Sequence, residues 1–118
     1  MTMSWLHALS WFFGGVFFAN AIPHFVAGVM GQPFQSPFAK PPGQGLSSST
    51  VNVLWGAFNF AVAYALIIGV GSFDPRCPSD VLAVGTGVLS MGLMAARAFG
   101  RFHGGNSPQE YQGLSQRD

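Results

Sequence analysis

Residues 5–30 read WLHALSWFFGGVFFANAIPHFVAGVM, without one charged side chain. The uncharged stretch extends back to Met1 and on to Ala39, because the first charge in the chain is Lys40 and the next is Asp74. A third uncharged run covers Val81 to Ala96. Of 118 residues only 8% are charged, five Lys and Arg against four Asp and Glu, while 49% are hydrophobic. Soluble domains carry about 25% charged residues. A water-soluble domain lacking charge over so long a stretch would present an aggregating apolar surface. The expected fold class is therefore an all-α integral membrane protein, in one compact unit.

Crossing a hydrocarbon layer of about 30 Å takes about 20 helical residues whose backbone satisfies its own hydrogen bonds. Three runs meet that requirement, at about 5–30, 51–73 and 81–102. They lack the polar and apolar alternation of barrel strands. Between the first two, residues 32–50 hold Pro33, Pro37, Pro41 and Pro42 with Gly43 and Gly45, which excludes a continuous helix. Ser48, Ser49 and Thr50 offer N-caps for the second helix. Residues 74–80, DPRCPSD, form a tight polar turn with Asp80 at the positive end of the third helix dipole. The organisation expected is a polytopic membrane domain over 1–103 and a polar, flexible tail over 104–118.

With three spans, Lys40, Arg97, Arg101 and Arg117 fall on one side and only Arg76 on the other. The positive-inside rule then places the N-terminus outside and the C-terminus in the cytoplasm, in the inner membrane if the source is bacterial. Ala19-Asn20-Ala21 imitates a signal-peptide cleavage site, but no Lys or Arg precedes the apolar run, which such a peptide needs.

Small residues mark helix faces. His7, Gly14, Ala21 and Gly28 recur every seven positions in the first helix, and Ala57, Ala61, Ala65 and Gly69 form a ladder on the second. On the third, Gly85, Gly92 and Ala96 fall within about 40° of one another. Such faces let backbones approach closely, a main source of helix association in lipid. The expected partners are accordingly membrane lipids and either further copies of the chain or a larger membrane complex.

Polar residues take other faces. Asn20 and His24 are neighbours on the first helix, and Asn52 and Asn59 lie roughly opposite the alanine ladder of the second. Thr86, Ser90, Arg97 and Arg101 share a stripe on the third. All but Thr86 and Ser90 belong to the inner half of their spans by helical rise. Asn20, His24, Asn52, Asn59, Ser90, Arg97 and Arg101 are therefore the candidate ligand-binding residues. Pro23 denies the Ala19 carbonyl its usual donor beside His24. The loop pairs Pro33-Phe34 and Pro37-Phe38 should order against the membrane face.

Three functions fit this pattern. The first is a small multi-pass protein that associates through its Gly and Ala faces. The second is an oligomeric transporter or pore lined by the polar stripe. The third is a lipid- or quinone-binding protein or enzyme with a site around His24 and Arg97. No catalytic motif is present. No catalytic residue, cofactor or metal site is expected, the single cysteine, Cys77, permits no internal disulfide, and the few scattered cations give no nucleic-acid footprint.

Overall fold

The computed structural model describes residues 4–117. It is mostly helical, with α1 over Trp5–Val29, α2 over Ser49–Ile67, α3 over Pro78–His103 and α4 over Pro108–Ser115. The first three are long and apolar enough to cross a membrane.

Local chemistry sets the ends. Ser4 caps α1 by accepting from the Leu6 amide at 3.2 Å, and Ser48 caps α2 by accepting from Val51 at 3.2 Å. Helix α3 starts at Pro78, earlier than its uncharged run, because proline fits the first helical position. The buried Asp80 carboxylate in its first turn accepts from the Asp74 amide at 3.0 Å. Gly104, at φ 76°, ends the helix in a left-handed cap.

Two expectations need correction. Helix α2 stops at Ile67, not near residue 73, although no charge intervenes. The chain turns instead through Gly71 at φ 63°, and the Val70 carbonyl is taken by the Trp11 indole at 2.9 Å. Second, the chain is not purely α. The loop after α1 holds a two-stranded antiparallel ribbon, β1 over Phe34–Gln35 and β2 over Leu46–Ser47, with Phe34 opposite Ser47. Ser36 and Ser47 hydrogen-bond through their hydroxyls beside it, and the Ser36 carbonyl accepts from Gly43 at 2.8 Å. Residues 108–115 of the polar tail form a short helix, entered through Pro108 with Glu110 in its first turn.

Helix α1 lies between α2 and α3, which pack on it and hardly on each other. The result is a slab rather than a closed bundle. Helices α1 and α2 are antiparallel: the Ser10 hydroxyl donates to the Leu66 carbonyl at 2.8 Å near one end, while Gly28 meets Ser49 and Val53 at the other. The α1 seam faces α2, since Gly14, Ala21 and Gly28 are buried. On its other flank α1 runs parallel to α3, and Gly15 and Gly87 interlock. A Cβ on Gly87 would overlap the Phe12 carbonyl oxygen, and one on Gly15 would overlap the Val84 carbonyl oxygen.

That crossing makes a prediction. Gly87→Leu should lower stability by about 2 kcal/mol or more, because backbone blocks the added side chain. Gly85→Leu, where no atom lies within 4 Å of the added Cβ, should change it by under about 0.5 kcal/mol. Thermal unfolding followed by tryptophan fluorescence measures both, and equal losses would refute the crossing.

Candidate functional site

The interior is polar and small where a soluble core is large and apolar. Buried hydrophobic residues are Trp11 and four alanines, whereas His24, Asn52 and Asn59 are each at most 2% exposed. Large apolar side chains such as Leu54, Tyr64, Leu89 and Leu93 are 60% exposed or more.

Four of the seven candidate residues form two pairs between α1 and α2. The Asn20 amide donates to Asn59 Oδ1 at 3.0 Å, and Asn59 donates in turn to the Trp55 carbonyl, one turn back, at 2.7 Å. One turn further along α1, His24 Nδ1 lies 2.8 Å from Asn52 Oδ1. The Asn52 Nδ2 group is committed as a donor to the carbonyls of Phe34, Ser47 and Ser48 at 3.0 to 3.2 Å. Asn52 Oδ1 is thus the acceptor, and His24 carries its proton on Nδ1. One carboxamide ties α1 to both strands of the ribbon and to the start of α2.

Aromatic rings enclose His24. Phe34 and Phe99 meet it edge-on at 5.4 and 5.8 Å, and Trp55 stands at 6.4 Å. Phe34 is also stacked on His103 at 5.1 Å with planes 6° apart. His103 Nε2 is 2.8 Å from Oε1 of the buried Gln35. Phe34 therefore turns into the protein. Phe38 is 63% exposed and packs on Trp55 at 5.1 Å. The Trp55 indole nitrogen is buried without a hydrogen-bond partner.

Ser90, Arg97 and Arg101 take no part in this network. All three are exposed on α3; the Arg97 carbonyl accepts from Asn106 at 3.4 Å, and the Arg101 guanidinium lies 4.7 Å above the Phe102 ring. Thr86, in the same stripe, donates to the Ala83 carbonyl one turn back at 3.0 Å. Gln35, Phe34, Phe99 and His103 complete the polar end, and nothing in their spacing announces it, since His103 and Gln35 are 68 positions apart.

Beside this cluster a groove of about 610 Å³ separates α1 from α3. Ala19, Pro23 and Val26 form one wall and Gly92, Ala96 and Phe99 the other, with Phe34, His103 and Asn106 at its end. Among the described residues no group of His, Cys, Asp or Glu could hold a metal ion. Comparison with protein-family models, curated proteins and solved structures finds no match.

The knot predicts an order of stabilities. Asn52→Ala should cost about 2 to 3 kcal/mol, because it strands buried carbonyls and the His24 N–H together. Asn20→Ala removes one interhelical bond and should cost about 1 kcal/mol. Equilibrium unfolding gives the order, and hydrogen exchange at the Gly43 amide should accelerate only for Asn52→Ala. The reverse order would contradict the role assigned to Asn52.

Proposed function

We propose that this chain is an integral membrane protein of three spans that works by association, as a homo-oligomer or as a small subunit of a larger membrane complex. The membrane part of this reading rests on the inverted distribution of side chains. Asparagines and a histidine satisfy one another inside, while leucine, phenylalanine and tyrosine cover the outside. In water that arrangement forfeits the hydrophobic effect. In hydrocarbon it is the favourable one, since polar groups find their partners internally and apolar groups meet lipid.

The association part rests on one observation. The α2 face that packs on α1 consists of Asn52, Gly56, Asn59 and Ala63, all buried, whereas Ala57, Ala61 and Ala65 on the opposite side are exposed. A ladder of small residues facing lipid gains little there, because lipid packs equally well on leucine. Against a second helix it permits close backbone approach. The pore reading has less support. Helices α2 and α3 flank α1 without facing each other, so a pore would have to be assembled wholly between copies.

The orientation follows from the basic residues: Lys40, Arg97 and Arg101 cytoplasmic, and the turn holding Arg76 and Cys77 outside. Cys77, partly exposed and the only cysteine, reports on it directly. A membrane-impermeant thiol reagent should label it in intact cells. Labelling only after lysis would reverse the topology.

For association, a photoreactive residue at position 61 should capture either a second copy or a defined larger partner in native membranes. Ala61→Phe should abolish the assembly while leaving the melting temperature of the isolated chain within about 2 °C, as an exposed substitution does. A wild-type chain that crosslinks to no protein, or an assembly unchanged by Ala61→Phe, would refute the proposal.

A further inference from the structure

Along α1 and α2 the polar side chains away from the helix ends turn inward, where Asn20 bonds Asn59 and His24 bonds Asn52. Thr50 and Tyr64 are exposed, but each stands within a turn of an end of α2, where it reaches the interface. Helix α3 does the opposite. Thr86, Ser90, Arg97 and Arg101 are all exposed, and they fall within about 60° of one another. Their flank lies roughly opposite the groove residues Gly92 and Phe99. Of α3 only Asp80, Gly87 and Gly100 are buried, so no element of this chain covers that stripe.

The stripe reaches the middle of the span. Helix α3 is 26 residues long, so its centre falls beside Ser90, and the Arg97 Cα lies about 10 Å toward the C-terminal end. In a bilayer with a hydrocarbon half-thickness of about 15 Å, Arg97 starts inside the apolar layer and Arg101 at its edge. An arginine at that depth is costly against lipid, and such residues turn to a protein interior or to a partner. Snorkelling would carry the guanidinium to the headgroups, yet it leaves Ser90 at mid-span, beyond their reach. Thr86 donates its hydroxyl back to the Ala83 carbonyl at 3.0 Å, whereas Ser90 makes no such bond among the described residues. A polar row running from mid-span to the interface is matched by another helix lying alongside it.

Charge selects that helix. Two copies packed in parallel through this stripe would set Arg97 against Arg97 and Arg101 against Arg101, which like charges oppose. No other span of a second copy relieves them: α1 and α2 hold no charged residue, and the one carboxylate of α3, Asp80, stands at its opposite end. Glu110 lies beyond α3 and lines a hollow with Arg101, which Arg97 does not line. We infer that the stripe from Thr86 to Arg101 docks on a transmembrane helix of a different protein, one that carries an Asp or Glu in its cytoplasmic third. That carboxylate receives Arg97, and a hydrogen-bonding group two turns deeper meets Ser90. The inference rests on the membrane and association readings above, and for this face it selects the larger complex over the homo-oligomer. The alanine ladder of α2 is a separate surface, on the far side of α1.

A photoreactive residue at position 93, exposed beside the stripe, reads the contact in native membranes with every stripe residue unaltered. It should give an adduct with one other protein, whose crosslinked peptide lies in an apolar span holding an Asp or Glu. Arg97→Glu should lower that yield about ten-fold or more, because it sets like charges in contact. Arg97→Lys, which keeps the charge, should hold it within about three-fold. Exchanging the charges, with Arg97→Glu here and lysine in place of the partner carboxylate, should restore the adduct. Since Arg97 is exposed, both variants should leave the melting temperature of the isolated chain within about 2 °C.

An adduct of two copies, labelling of lipid alone, a crosslinked span without a carboxylate, or a yield unmoved by Arg97→Glu would overturn the inference. Position 61 separates that failure from a failure of association itself. Capture of protein there with none at position 93 leaves the association reading standing and refutes the α3 contact alone. Capture at neither position refutes both.

Discussion

The carboxamide of Asn52 has no exposure and serves four partners: it accepts from His24 on α1 and donates to three carbonyls at the base of the loop. In water each of these groups could find a solvent molecule, and the net worth of the knot would be small. On the proposed reading the surroundings are hydrocarbon, and an unpaired carbonyl or N–H is expensive. The same carboxamide therefore holds α1 against α2, closes the ribbon and turns Phe34 inward onto His24 and His103. The groove end depends on that chain of contacts, because Phe34 and His103 form it.

The small residues divide into three uses. The α1 seam of Gly14, Ala21 and Gly28 is consumed within the chain by α2. The α2 ladder of Ala57, Ala61 and Ala65 faces away and is the surface on which the association proposal rests. On α3, Gly92 and Ala96 border the groove. One kind of residue thus serves packing within the chain, borders the groove and, on the proposed reading, mediates assembly, according to what lies opposite it. Two further glycines, Gly15 and Gly87, set the α1 and α3 crossing from which the groove opens.

Much of this was legible in sequence where a single helix carries the signal. The expected span 5–30 agrees with α1 to within a residue at its C-terminal end, and Ser48, Ser49 and Thr50 bracketed the start of α2, because hydropathy and capping act locally. Helical periodicity put Asn52 and Asn59 opposite the alanine ladder, as they stand. The end of α2 was not legible, because an apolar run persists through Val70 and only the indole of Trp11, 59 positions away, claims that carbonyl. Asn20, His24, Asn52 and Asn59 meet, but pairwise, and Ser90, Arg97 and Arg101 stand apart on α3. Rotation about α1 decides that separation, and no single-helix pattern encodes it. Gln35 and His103 went unseen for the same reason: a loop glutamine and a histidine at a helix end carry no spacing signal.

All of this depends on which solvent the outer surface faces. Extraction of native membranes at alkaline pH, followed by size-exclusion chromatography of any released chain in buffer without amphiphile, asks that question directly. The account predicts that the protein stays with the lipid pellet and aggregates when detergent is withdrawn. A chain released into the supernatant and monodisperse in plain buffer would contradict it.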